Sequence, residues 1–327
     1  MYKQVGVFSA LALILAVKPA PAQEPGRYQP VIAGEWRVLY RPVKAGPHVN
    51  DHTLFQDADG NWRFVGIATH RLLDLVTPYL GHAVGPSLEE PMQELPVLFR
   101  SDPDHRPKWA PHVVEDQGTW HLFCGPGRIR HYTSPDGIRW TFHDIAIRPG
   151  WASFRDCMVL KLDRSQWLMY CTDRDNTVSV YRSPDLFQWN FGQTAFRAVK
   201  PAAVYPRMPY GGISATESPF VMAYAGAYYL SVCLTSSSQP SSYAQTIVVR
   251  SENPLDFGVY AAGGPGETAD LVTILPTHAA EYIHTPDGRW YITACGWSAY
   301  PGVEGKIPGS VSIAPLVWDP VPSPSGL

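Results

Sequence analysis

The sequence predicts an all-β chain folded as a five-bladed β-propeller: five four-stranded antiparallel blades around an axis, with an active-site funnel on that axis. Three observations carry this expectation. Short β-branched and aromatic runs bounded by Pro and Gly fill the chain, and long helical periods are missing. One hairpin grammar, an apolar strand, a polar or Gly turn and an aromatic-led second strand, occurs five times. Each copy leaves room for two further strands before the next, and radial repetition protects sheet edges that an open sheet would expose. A β-sandwich is the competing architecture, but it does not require five copies of one unit.

Taken in chain order, residues 1–22 read as an export signal. Lys3 precedes an apolar stretch from Val5 to Val17, and Ala20-Pro21-Ala22 has the small-residue pattern of a cleavage site. The stretch is shorter than the roughly 20 residues of a membrane anchor. Residues 23–327 then form one catalytic domain in an exported, periplasmic or extracellular protein. Removing Lys3 and Lys18 leaves 24 basic against 29 acidic residues, a formal charge of −5. That balance carries no footprint for nucleic acid or an anionic membrane.

The five hairpins are "DHTLFQDADGNWRFVG" (51–66), "HVVEDQGTWHLFC" (112–124), "DCMVLKLDRSQWLMYC" (156–171), "ESPFVMAYAGAYYLSVC" (217–233) and "AEYIHTPDGRWYITAC" (280–295). Outer strands follow at "YTSPDGIRW" (132–140) and "YRSPDLFQW" (181–189), and "VSIAPLVW" (311–318) is the last. "RLLDLVTPYLGHAV" (71–84) is the one helix candidate, interrupted by Pro78. The stretches 71–108, 200–213 and 298–309 are expected as loops shaping the funnel mouth. Trp62, Trp120, Trp167 and Trp290 repeat at one strand position and are expected between blades. Cys124, Cys171, Cys233 and Cys295 each lie four residues after an aromatic. Equivalent places on different blades are too far apart for disulfides, so these thiols and the odd Cys157 are expected buried and reduced.

The functional signal is a set of acids. Asp51, Asp156 and Glu217 each begin a first strand, eleven residues before Trp62, Trp167 and Tyr228. First strands lie nearest the axis, so three carboxyl groups meet around one cavity, where like charges raise one another's pKa. Glycoside hydrolysis uses such a set: one acid protonates the leaving oxygen, and one carboxylate activates water or attacks the anomeric carbon. Metal binding is the rival use of three carboxylates, but no compact Asp/Asn/Gly loop accompanies them.

On these residues the sequence resembles the five-bladed propeller glycoside hydrolases, the superfamily of families 43, 32, 62, 68 and 117. "WAPHV" (109–113) and "ESPFVMAYAGAYYL" (217–230) resemble second- and fourth-blade segments of family 43. "VNDHTLF" (49–55) and "FRDC" (154–157) are nearer to family 32, though His52-Thr53 stands for its Pro-Asn and Cys157 for its Pro. "HAAEYIHTPDGRWYI" (278–292) is a looser match in blade five.

The resemblance implies that Asp51 is base or nucleophile, Asp156 the pKa modulator and Glu217 the general acid. Substrate contacts are expected from Asn50, His52, Trp109, His112, Arg155, His278 and Trp297. Trp109, Trp151 and Trp297 are suited to stacking on sugar faces. His52 and His112 also fit structural roles, and Arg155 an ion pair with Asp156. No cofactor is required; His278 matches a family 43 His near a central metal, which implies an optional structural calcium. The expected activity is release of a terminal arabinofuranosyl or xylosyl unit from plant or algal oligo- or polysaccharides. Inversion follows from the family 43 likeness. A family 32-like retaining fructosidase or transglycosidase, and a non-catalytic sugar-binding propeller, are the alternatives.

Overall fold

The structure, a computed structural model, describes residues 26–70, 76–102, 104–151, 153–199, 216–234, 245–296 and 309–321. The predicted export signal, the 200–213 and most of the 298–309 stretches, and Trp297 lie outside these residues. Two short strands, β1 (Tyr28–Ile32) and β2 (Arg37–Tyr40), come first. Blade one is β3 (His48–Gln56), β4 (Trp62–Thr69), β5 (Leu80–Gly85) and β6 (Gln93–Leu98). Blade two is β7 (Trp109–Asp116), β8 (Thr119–Gly125), β9 (Ile129–Ser134) and β10 (Thr141–Ile147). Blade three is β11 (Arg155–Asp163), β12 (Gln166–Thr172), β13 (Thr177–Ser183) and β14 (Asn190–Ala198). Blade four begins with β15 (Thr216–Tyr224), β16 (Ala227–Leu234) and β17 (Thr246–Ser251). The chain then lends β18 (Val259–Tyr260) to the edge of blade three, parallel to β14, before β19 (Asp270–Leu275) completes blade four. Blade five is β20 (Tyr282–His284), β21 (Trp290–Gly296) and β22 (Ser310–Pro320).

All five predicted hairpins form, as β3–β4, β7–β8, β11–β12, β15–β16 and β20–β21. Their turns explain why. Gln117-Gly118 and Ala225-Gly226 have positive φ at both central residues (50° and 78°, 47° and 78°), the two-residue turn whose twist matches that of antiparallel strands. The core lies between blades. Phe55 and Val65 of blade one meet Leu122 and Trp120 of blade two, where the Trp120 indole donates to the Gln56 carbonyl at 2.8 Å. Phe123 meets Val159 and Trp167 at the next boundary, and one large cluster joins blades three, four and five.

Several expectations need correction. Residues 71–108 are not simply loops, because Leu80–Gly85 and Gln93–Leu98 are the outer strands of blade one. Leu80-Gly81-His82-Ala83 is buried throughout, so its apolar character reflects a strand covered on both faces, and no helix forms in the described part of 76–84. Blade five takes its outer edge from the opposite end of the chain: β1 pairs with Leu316–Pro320 and β2 with Val311–Ile313. Trp62 stands four residues before Gly66, the partner of His52, whereas Trp120 and Trp167 stand three before Phe123 and Tyr170, the partners of His112 and Met158. All five cysteines are buried thiols, as expected, but they are not all equivalent. Cys233 lies opposite Glu217, and the Cys295 amide donates to the His278 carbonyl at 3.1 Å. Cys124 and Cys171 sit one residue earlier, beside Gly125 and Thr172. A one-residue shift turns a strand side chain to the other face; the adjacent aromatics Tyr228-Tyr229 and Trp290-Tyr291 conceal it in the sequence.

Candidate active site

Every inner strand enters the axis through the same irregularity. Three inner-strand residues stand against two of the neighbouring strand at Val49/His52, Trp109/His112, Arg155/Met158 and Glu217/Phe220. Blade five repeats the step, with Cys295 bonded to His278 and the Thr293 amide to the Glu281 carbonyl at 2.9 Å. In four blades the second residue of the step is left-handed: Ala110 (φ 45°), Asp156 (52°), Ser218 (49°) and Ala279 (48°). Such β-bulges bend a strand and re-aim its side chains, here toward the axis.

The three acids occupy different places of this bulge. Glu217 is at the first, Asp156 at the second and Asp51 at the third. Their common eleven-residue spacing is a coincidence of turn length, since the turn of blade four is a residue shorter than that of blade three. The structure nevertheless brings them together. Arg155 donates from Nη2 to Glu217 Oε1 at 2.8 Å, and its Nε lies 3.3 Å from Asp156 Oδ2. The Thr172 hydroxyl and the Ser218 amide each donate to Asp156 Oδ2 at 3.2 Å. The Ser218 hydroxyl donates to Asp51 Oδ1. Asp51, Asp156 and Ser218 line a narrow cleft of about 20 Å³, with His52 and Ala110 in its walls.

Charge is distributed unequally. Burial, then the charge of Asp156 and then that of Glu217, push the Asp51 carboxyl far above the usual carboxylate range, against the Ser218 hydroxyl and Arg155. Burial disfavours the Arg155 cation, but Asp156, Glu217 and Asp51 outweigh it and hold the guanidinium charged. Arg155 is thus the counter-ion of the set: it faces Asp156 and Glu217 directly, whereas Asp51 receives a hydroxyl. Burial and the neighbouring acids thus favour a proton on Asp51. The site can therefore hold one acid form beside carboxylates, the requirement for acid–base work at a single bond.

The remaining predicted residues separate into two groups. Asn50 and His278 meet each other: His278 Nε2 lies 2.8 Å from Asn50 Oδ1, and its Nδ1 is 3.3 Å from the Cys233 thiol. His52 is buried, with Nε2 2.7 Å from the Thr293 hydroxyl and its ring stacked on Phe64. His112 is also buried but belongs beneath the cleft, against Phe220. Burial lowers the pKa of both imidazoles to about 4, keeping them neutral. Trp109 is half-buried at the head of β7, beside the cleft residues Ala110 and Pro111. Trp151 donates its indole N–H to Asp173 at 2.8 Å and carries the Arg174 guanidinium 4.4 Å from its ring centroid, so it is fixed within blade three. A hard cation needs six to eight oxygen ligands. His278 is met by one amide oxygen and one thiol, and among the described residues no group of three or more His, Cys, Asp or Glu could hold a metal ion. Among the described residues the protein itself supplies no ready-made cage of carboxylates for calcium.

Glu281 is the residue that sequence reasoning missed. It occupies the fourth place of the blade-five bulge and lines the cleft beside Asp51. Burial, and then the charge of Asp51, push its carboxyl well above the usual range. The signal was present: His278-Ala279-Ala280-Glu281 aligns with Trp109-Ala110-Pro111-His112 when both are placed on the bulge.

No protein-family model and no curated protein matches the chain. Solved structures do. An exo-1,5-α-L-arabinanase from a bovine ruminal metagenomic library matches with a TM-score of 0.57 at 17% identity, covering 82% of this chain and 92% of that one. A thermostable family-43 glycoside hydrolase gives 0.57 at 15% identity, over 86% and 91% of the two chains. A Bacillus subtilis arabinanase gives 0.58 at 13% identity, over 82% and 94%. At these identities the likeness shows the fold: the ring of five sheets is shared with these proteins.

Proposed function

We propose that the chain is a glycoside hydrolase that releases a terminal arabinofuranosyl or xylosyl unit from plant or algal oligo- or polysaccharides, with inversion. One observation carries the reading: three blades deliver Asp51, Asp156 and Glu217 to one network, joined through Arg155 and Ser218, with Asp51 and Asp156 lining a narrow cleft. The shared fold supports it, since an arabinanase of this fold from Cellvibrio cellulosa is known with arabinohexaose. Another relative in fold is a β-xylosidase/α-arabinofuranosidase known with xylotriose. The proposed export signal at residues 1–22 would place the protein where such saccharides are met.

In this reading water attacks the anomeric carbon as the glycosidic C–O bond breaks. The water gives its proton to Asp51, and the leaving oxygen takes one from Glu217. Asp156 and Arg155 orient Glu217 and stabilise charge as it develops. Replacing Asp51 or Glu217 by its amide is expected to cut turnover of 4-nitrophenyl α-L-arabinofuranoside or β-D-xylopyranoside about 1,000-fold, with little change in melting temperature. Full activity in both variants would sink the proposal. NMR of the first-formed anomer checks inversion, and a retained configuration would favour the family 32-like retaining alternative.

The charge distribution favours a second assignment, with Asp51 as proton donor and Glu217 as base. A dinitrophenyl glycoside, whose leaving group needs no acid, separates the two. If Glu217 is the acid, Glu217→Gln recovers activity on it and Asp51→Asn does not; the opposite pattern exchanges the roles.

A further inference from the structure

The fourth places of the five bulges, His52, His112, Met158, Phe220 and Glu281, form a throat on the axis. Above it lies the acidic cleft. Below it a chamber of about 290 Å³ extends to the hairpin ends of blades one and five, at Gln56 and His284. Glu281 lines both spaces.

Two polar groups in the throat lack protein partners. His112 bonds the Val159 backbone through one ring nitrogen, while its buried Nδ1 has none. The Glu281 carboxyl forms no hydrogen bond or ion pair with the described residues. His52 is already committed to Thr293, and Met158 and Phe220 are apolar. Buried polar groups are nearly always satisfied, by water where protein does not reach them. A chamber of this size next to both groups supplies that water.

We propose that a file of water runs up the axis from the chamber, passes between His112 and Glu281 and ends at Asp51, so that Glu281 is a positioning residue delivering the hydrolytic water. A saccharide seated over the cleft would cover its open side, and a supply from behind keeps the second substrate available. Burial raises the Glu281 carboxyl's pKa, which favours the form that can both donate to and accept from a passing water. The delivery step rests on the hydrolase reading; the file itself does not.

Two measurements test it. A high-resolution crystal structure is expected to show ordered water within hydrogen-bonding reach of His112 Nδ1 and Glu281, lost in His112→Phe; a dry throat overturns the file whether or not the protein is active. With the two nitrophenyl glycosides, Glu281→Leu is expected to lower kcat about 30-fold while KM stays within about twofold, and Glu281→Gln, which keeps a polar group in the throat, to recover most of the loss. Wild-type kcat in Glu281→Leu, or no recovery in Glu281→Gln, overturns the delivery role. Should His112→Phe not fold, the wild-type structure and the Glu281 pair decide the matter. A wild-type protein inert on every glycoside would sink the hydrolase reading and the delivery role with it, while the crystallographic waters would still judge the file.

Discussion

Blades three and five reach the axis through the same backbone step but present different chemistry to it. In blade three the first two places hold Arg155 and Asp156, and both charges enter the cleft network. In blade five the first place holds His278, which meets the Asn50 amide, the second and third hold Ala279 and Ala280, and the acid comes only at the fourth, in the throat. The bulge is common architecture. The residue type that each blade carries on it decides whether a charge enters the cleft network.

The comparison breaks most severely at Arg155. Arg155→Met leaves Asp156 and Glu217 without their shared cation, and breaking such a pair costs about 3 kcal/mol or more. Activity is expected to fall about 1,000-fold in the same variant. The stability deficit should shrink on acidification, as the abandoned carboxylates take up protons, which denaturant melts at several pH values would show. The blade-five counterpart, His278→Ala, removes the contact to Asn50 and should cost about 1–2 kcal/mol and well under 100-fold in kcat.

Asp51 sharpens the contrast through pH. Its folded-state pKa, raised to about 8, means that the folded protein keeps a proton which the unfolded chain releases near pH 4. Stability therefore falls as pH rises through that window, because the native state binds more protons than the unfolded state. Asp51→Asn should remove this slope and gain about 1–3 kcal/mol above pH 8, measured by chemical denaturation, while losing turnover. A smaller change comes from Ser218→Ala. Its hydroxyl lowers the Asp51 pKa, so its removal should shift the acid limb of the kcat/KM profile to higher pH and reduce activity about tenfold. An acid limb moving the other way would contradict the assigned bond.

The smallest effects are expected where the bulge carries no charge. Ala110 and Ala279 hold left-handed backbone that Gly adopts without strain. Ala279→Gly should therefore be neutral to stabilising by up to about 1 kcal/mol, with activity unchanged, as thermal melting and a standard assay would show. A destabilisation well beyond that would mean the Ala279 methyl packs more usefully than the strain costs.

Much of this was legible in the sequence. Five hairpins could be read because each is local and its aromatic and turn residues recur at a short period. The convergence of Asp51, Asp156 and Glu217 could be read because all three head first strands. What stayed hidden depends on offsets that spacing cannot show. A bulge adds one residue to one strand, so equal counts to Trp62, Trp167 and Tyr228 disguised three different places. Glu281 went unnoticed because its position becomes meaningful only when the bulges are superposed. His112 looked like a cleft residue but lines the neighbouring space with Phe220 instead. The pairing of β1 and β2 with β22 joins residues nearly 300 apart, beyond the reach of any local pattern.

That last pairing has a consequence for how the molecule is made. β22 is the keystone strand, with β21 on one flank and β1 and β2 on the other. Until residue 320 has been synthesised, the growing polypeptide is a horseshoe whose two bare rims cannot reach closure. A chain stopped before residue 310 would keep both rims, and two such horseshoes would present complementary edges to each other.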